Sequence, residues 1–329
     1  MQQAAASAVD ANNLAPLHFA LARACHDRQQ YDRAFEHYSE ANRLWAQSLN
    51  YNPDQLTEEV SESARLFTSQ FFARSPKAGD PSPAPIFIVS LPRSGSTLLE
   101  QMLDSHPDVE ALGELTYIPA LLRSTMEAAT RSGIRTVPEA VARLAPADRT
   151  ALGAEYMRRA SQHRKTDAAH FIDKMPHNWS NAVFIRQILP NARIIDIRRD
   201  AMTCCWSNFS HSFSRAHASS FTLEGMGRAY RDYVRFMAAL DAALPGMIHH
   251  VDYQRLVEEP EGQLRLLLEH LGLPWNDGVL RFHESKRSVR TPSAEQVRRP
   301  LNREGLETWR PYAQWLGPLR ETLGPLAQA

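Results

Sequence analysis

The stretch Ile86-Phe-Ile-Val-Ser-Leu-Pro-Arg-Ser-Gly-Ser-Thr97 decides the fold. Ile86 to Ser90 is a short, apolar, β-rich run, the composition of a parallel strand buried on both faces. Pro92 and Gly95 then mark a turn, and Thr97-Leu-Leu-Glu-Gln-Met-Leu103 resumes with helical spacing. A strand that passes through a glycine-containing loop into a helix N-terminus gathers unpaired N–H groups and the positive end of a helix dipole around one anion. Ser90–Thr97 has the length and placement of a P-loop. It departs from the signature G-x-x-x-x-G-K-[ST] by carrying Ser90 for the first Gly and Ser96 for the Lys. That Lys reaches the β- and γ-phosphates of a triphosphate, so its loss argues against a P-loop kinase or nucleoside triphosphatase. Arg93 offers instead a planar, permanently charged donor fork suited to phosphate or sulfate.

Outward from the loop, Ala192-Arg-Ile-Ile-Asp-Ile-Arg198 reads as a second strand and Ile248-His-His-Val-Asp-Tyr253 as a third. Helical spacing covers about 116–129, 148–163, 177–188, 201–209, 222–243 and 260–271. Strands alternating with helices predict an α/β fold, three layers with a mainly parallel sheet. Upstream, Ser75-Pro-Lys-Ala-Gly-Asp-Pro-Ser-Pro-Ala-Pro85 holds four prolines and is the clearest boundary, a linker over 75–85. Residues 14–74 before it read as a helical segment. Phe19, Ala20 and Ala24, then Ala34, Phe35, Tyr38, Ala41 and Leu44, recur every three to four positions in two helices joined near Asp27–Gln30. The pair resembles a single tetratricopeptide repeat, and an array normally needs about three such units to be stable. Another helix is predicted from Pro53 to about Phe72. Residues 1–13 are expected to be disordered, and 86–329 to form the main domain.

Composition narrows the partners. The chain has 37 Lys and Arg against 37 Asp and Glu, for a formal net charge of zero, which argues against nucleic acid as the main partner. Its cysteines, Cys25, Cys204 and Cys205, show no metal-ligand spacing. Reduced thiols, no membrane span, no secretion signal and a cytoplasmic location are the expectation.

With the loop in view, the sequence resembles the sulfotransferase superfamily, closest to the tyrosylprotein sulfotransferases and bacterial tetratricopeptide-sulfotransferase proteins. Phe87-Ile-Val-Ser-Leu-Pro-Arg-Ser-Gly-Ser-Thr-Leu-Leu99 is similar to that family's 5′-phosphosulfate loop. The resemblance implies the donor 3′-phosphoadenosine 5′-phosphosulfate (PAPS), the product PAP and no metal. It assigns Arg93, Ser94, Gly95, Ser96 and Thr97 to the 5′-phosphate. Gly113-Glu114 matches the segment whose Glu is the general base, with Glu110 and His106 as nearby rivals. Phe171-Ile-Asp-Lys-Met-Pro-His-Asn-Trp179 carries the D-K-x-P pattern, whose Lys174 approaches the bridging oxygen, with Asp173 and His177 in support. Ile194-Ile-Asp-Ile-Arg-Arg-Asp200 and the following Ser207 resemble the 3′-phosphate motif and assign Arg199 and Ser207 to that group. Asp200 suits a helix N-cap, and Arg198 should point away from Arg199.

Tyr253, in the Y-x-x-L-V-like segment after the third strand, is a nucleotide contact or a core residue. Ser293, in Arg290-Thr-Pro-Ser-Ala-Glu-Gln-Val-Arg-Arg-Pro-Leu-Asn302, takes the place of a phosphosulfate-binding serine, with Arg298 and Arg299 as further donors. Trp309-Arg-Pro-Tyr312 matches a closing W-R-x-Y pattern, and Thr308 stands where a basic residue often precedes it. The implied activity is in-line sulfuryl transfer to a hydroxyl on a peptide, carbohydrate, lipid or small molecule, with peptide tyrosine one candidate and a homodimer left open. The competing readings are a P-loop kinase and a non-catalytic tetratricopeptide adaptor with a nucleotide-binding domain.

Overall fold

The structure, a computed structural model, describes residues 2–49, 51–213, 217–284 and 296–328. Its sheet contains β1 (Pro85–Val89), β2 (Val109–Ala111), β3 (His170–Lys174), β4 (Arg193–Arg198) and β5 (Ile248–Asp252), in the order β2-β3-β1-β4-β5. Every neighbouring pair is parallel. The α/β class read from the strand–helix alternation holds, with helices flanking the sheet. All five residues of β1 are buried, so its unbroken apolar run reflects cover on both faces. In register, Ile88 lies opposite Lys174 and Val89 opposite Asp196. The carboxyl ends of the central strands therefore come out side by side.

The chain divides into two compact units. The larger comprises Glu59–Arg199 and Tyr233–Arg303 and holds the sheet. The smaller comprises Met1–Glu58, Asp200–Asp232 and Glu304–Ala329. The division does not fall at the Pro-rich linker, where the sequence placed it. Residues 75–85 instead belong to the larger unit and are tied down along their length. Asp80 N–H donates to Ile188 O at 2.8 Å and Asn191 Nδ2 to Pro81 O at 2.8 Å. At Gly79 (φ +103°) a Cβ would lie 2.6 Å from Ile188 O, so only glycine fits that close approach. Proline removes N–H donors but leaves carbonyls, and those are enough to strap the segment to its neighbours.

In the smaller unit, helices Gln2–Asp27 and Tyr31–Gln47 form the expected hairpin. The first starts well before the expected residue 14, across an alanine-rich run of high helix propensity. Its buried face is Ala15, Phe19 and Ala22, whereas Ala20 and Ala24 are exposed. The hairpin is not a free-standing repeat. Tyr38, Trp206 and Tyr312 form one aromatic cluster, with the Trp206 and Tyr312 centroids 4.0 Å apart. The fully buried Tyr312 bonds His26 Nδ1 at 2.8 Å, and Asn42 Nδ2 donates to Phe209 O at 2.7 Å. The closing W-R-x-Y pattern thus anchors the N-terminal helices.

Two expected helices are broken. Pro53–Phe72 separates into Pro53–Leu66 and Ser69–Arg74, because the Thr68 side chain caps the second piece by accepting from Phe71 N–H. The stretch 177–188 starts as a 3-10 turn, Pro176–Trp179, before helix Ala182–Ile188. No helix among the described residues is long and apolar enough to cross a membrane.

Candidate active site

The Ser90–Thr97 loop leaves β1 and ends at Gly95, which caps helix Ser96–Asp104 in the left-handed region at φ +96°. Arg93 also has positive φ, +66°, an uncommon conformation for a residue with a Cβ. Ser90 N–H donates to Pro176 O at 3.0 Å, which clasps the loop to the segment after β3. Arg199, the residue after β4, donates from Nη1 to Arg93 O at 2.8 Å. Its guanidinium carbon sits 4.9 Å from the Tyr253 ring centroid. Tyr253 opens helix Tyr253–Glu258 directly after β5, and its ring lies against Gly95. The loop and the ends of β4 and β5 thus meet at the carboxyl edge of the sheet, where open α/β sheets bind ligands.

Gly95 is accordingly the least replaceable residue of the loop. A Cβ there would fall 2.2 Å from Tyr253 Cδ2 in a backbone conformation that L-residues avoid. Gly95→Ala is expected to lower the stability of the folded chain by about 1–3 kcal/mol through this strain, and melting curves check it.

Beside the loop stands a charged cluster. Lys174, the last residue of β3, is 1% exposed. Its ammonium donates to the Glu114 carboxylate and lies 4.0 Å from Glu100 Oε2. Glu100 is buried and Glu114 is 45% exposed at its side chain. A cation so deeply placed needs carboxylates to offset its desolvation, and these two supply them. Next to Lys174, the fully buried Asp173 accepts from Tyr156 Oη at 2.9 Å and from Leu115 N–H at 3.3 Å. Burial pushes the Asp173 carboxyl up to about 7, and the bonds from Tyr156 and Leu115 work against that rise. The cluster can hold a positive charge rigidly next to a half-exposed carboxylate, the pairing needed to stabilise a leaving anion and take a proton.

The sequence-predicted residues separate clearly. Arg93, Glu114, Lys174, Arg199 and Tyr253 belong to the larger unit with the loop. Ser207 belongs to the smaller unit, on helix Ala201–Phe209, which Asp200 caps by accepting from Thr203 N–H at 2.7 Å. Arg198 parts from Arg199, bonding Asp196 Oδ2 at 3.1 Å and covering the Tyr233 ring. Glu110 is engaged elsewhere, accepting from Lys165 N–H at 2.6 Å and Thr166 Oγ1 at 3.0 Å. His106 bonds Pro274 O through Nε2 and accepts from Asp108 N–H through Nδ1. Both rivals to Glu114 are therefore committed to holding loops. Ser293 lies outside the described residues, and Arg298 and Arg299 are exposed. The sequence reading missed Glu100 and Tyr156. A lone acid in the apolar run Thr97–Leu103 was a usable signal for Glu100, whereas nothing local distinguishes Tyr156 within its helix.

Comparison with known proteins bears on this arrangement. Residues 85–277 match the sulfotransferase family. An Aquifex aeolicus protein named only as uncharacterized is 34% identical over 312 residues, covering 93% of this chain and 41% of that protein. Protein-tyrosine sulfotransferase 1 of Danio rerio is 32% identical over 242 residues, covering 68% of this chain and 65% of the relative. The chain thus spans less than two thirds of either relative's length. Among solved structures, a sulfotransferase domain from the curacin biosynthetic pathway superposes with a TM-score of 0.51 at 18% identity, over 76% of this chain and 98% of that one. This last likeness is one of fold. The matched family region runs from β1 beyond β5 and takes in the loop, Glu114, Lys174 and Arg199, and the chain belongs to the sulfotransferase family.

Proposed function

We propose that the chain moves a sulfuryl group from PAPS to an acceptor hydroxyl in a single in-line displacement. The observation that carries this reading is the Lys174–Glu114 pair at the end of β3, on the same sheet edge as the Ser90–Thr97 loop. Backbone N–H groups of Ser94–Thr97 and the Arg93 guanidinium hold the 5′-phosphate. Arg199, steadied by Arg93 O and the Tyr253 ring, receives the 3′-phosphate. The acceptor oxygen attacks sulfur while its proton passes to Glu114. The bond from sulfur to the bridging oxygen breaks, and its electron pair leaves on the phosphate of PAP. Lys174 and Arg93 face the charge that grows on that oxygen. They contribute most where charge is greatest, in the transition state. The acceptor is a phenolic hydroxyl such as peptide tyrosine, a choice supported by the name of the zebrafish relative.

Donor binding tests the reading directly. A ligand that binds only the folded chain stabilises it by about 2.7 kcal/mol at 100 times its dissociation constant, enough to raise the melting temperature by several degrees. PAP is expected to give that shift and ATP none. A shift with ATP alone would restore the kinase reading and end this one.

A further inference from the structure

We propose that Asp173 and Tyr156 form a positioning pair that fixes the segment carrying Glu114, so that its carboxylate meets the acceptor hydroxyl at one defined angle. The inference rests on the reading of Glu114 as the base. Its basis is how the chain leaves β2. Leu112 N–H donates to Ile172 O and Lys174 N–H to Gly113 O, both at 2.9 Å, so parallel pairing with β3 continues as far as Gly113. Gly113 then turns the chain at φ +79°. Beyond the turn the next bond to β3 is made by a side chain, with Asp173 Oδ1 accepting from Leu115 N–H at 3.3 Å. Glu114 is therefore bracketed by bonds from two consecutive residues of β3, the Lys174 backbone before it and the Asp173 carboxylate after it.

Tyr156, on helix Pro146–Ser161, holds the other Asp173 oxygen at 2.9 Å and is itself fully buried. A buried carboxylate–phenol pair is a costly way to fill a core, and apolar residues of similar volume do so at least as well. Control of the Glu114 backbone gives that pair a use. Displacing a catalytic group by about 1 Å can cost about 100-fold in rate.

The groups facing Asp173 are the Tyr156 phenol, the Leu115 amide, the Glu100 carboxylate and the Lys174 ammonium. The ionised carboxylate accepts from both Tyr156 and Leu115, whereas the protonated acid must give up one of these acceptor positions. Transfer should therefore fall as pH drops through about 7. In Asp173→Asn the amide oxygen can still accept from Leu115 N–H, and the NH₂ can donate to the phenol, with no proton to gain. In Tyr156→Phe the carboxylate loses a bond that favours its ionised form, so the titration moves upward.

The test measures PAP affinity by calorimetry, together with transfer of radiolabelled sulfuryl from PAPS to a tyrosine peptide and to p-nitrophenol across pH. For Asp173→Asn and Tyr156→Phe, PAP affinity and donor KM should stay within about threefold of wild type; kcat should hold within about threefold in Asp173→Asn, which keeps both bonds, and fall about tenfold in Tyr156→Phe, which loses one. The fall below pH 7 should vanish in the first variant and shift to higher pH in the second. Unchanged kcat and an unchanged pH profile in both variants would overturn the inference and leave the function intact. A wild-type chain that fails to bind PAP, or that sulfates neither probe, would overturn the function and this inference with it.

Discussion

Replacing Lys174 by Met is expected to lower sulfate transfer by about 10²–10³-fold while leaving PAP affinity within a few-fold. The magnitude is that of losing one fixed donor at a site of developing charge. The selectivity follows from placement. The loop amides and Arg199 hold the two phosphates in this reading, whereas Lys174 faces the oxygen whose charge grows only as the S–O bond breaks. Its loss should therefore appear in kcat rather than in donor KM.

The variant has a second consequence that can be separated from the first. Lys174 is buried, with Glu114 on one side and the buried Glu100 on the other. Removing one partner of a buried pair costs about 3–5 kcal/mol, because the remaining charge is left uncompensated. Lys174→Met should thus melt at lower temperature. Glu100→Gln, added to it, should restore much of the stability without restoring transfer, since the amide carries no charge to compensate. If the double variant regains both, Lys174 serves folding alone and its assigned part in the reaction is wrong. Melting curves and single-turnover transfer on the four proteins of this cycle decide the matter.

How much of this was legible in the sequence follows the range of the interactions involved. β1 and β4 were readable because a strand covered on both faces must be apolar throughout, and Ile86–Val89 and Ile194–Ile197 are close to that limit. β2 was not, being three residues long with Glu110 at its middle; only pairing with β3 makes it a strand. The loop stood out as a local pattern, a strand giving way to a turn and a helix, whereas Lys174 and Arg199 were assigned through the resemblance to sulfotransferase motifs. Glu100 and Tyr156 act through partners 74 and 17 positions away, far beyond the two to four positions that strand and helix periodicity relate. The 75–85 segment misled for a related reason. Proline and glycine announce the absence of regular structure, but Ile188 and Asn191 decide whether that irregular chain is held.

Glu114→Ala is expected to cut transfer to a tyrosine peptide by about 10³-fold, within the range for loss of a general base. The sharper expectation concerns the acceptor. Tyrosine, with a pKa near 10, must lose its proton during attack at neutral pH. p-Nitrophenol is largely ionised at about pH 8 and brings little proton to remove, so the same variant should lose less than about tenfold with it. Glu114 also binds the Lys174 ammonium, and a carboxylate that merely orients Lys174 would be missed equally by every acceptor. Glu114→Gln sharpens the distinction, because an amide oxygen can still accept from Lys174 but cannot take a proton in this range. If Gln preserves transfer to tyrosine, or if Ala lowers transfer to both acceptors alike, Glu114 acts through Lys174 and the base lies elsewhere. If the loss follows acceptor pKa, and Gln behaves like Ala, proton removal is the role of Glu114. The Lys174–Glu114 ion pair then has its own explanation. Lys174 holds the base at the site, and a donor that draws the ammonium toward its bridging oxygen weakens its hold on the carboxylate that must accept the proton.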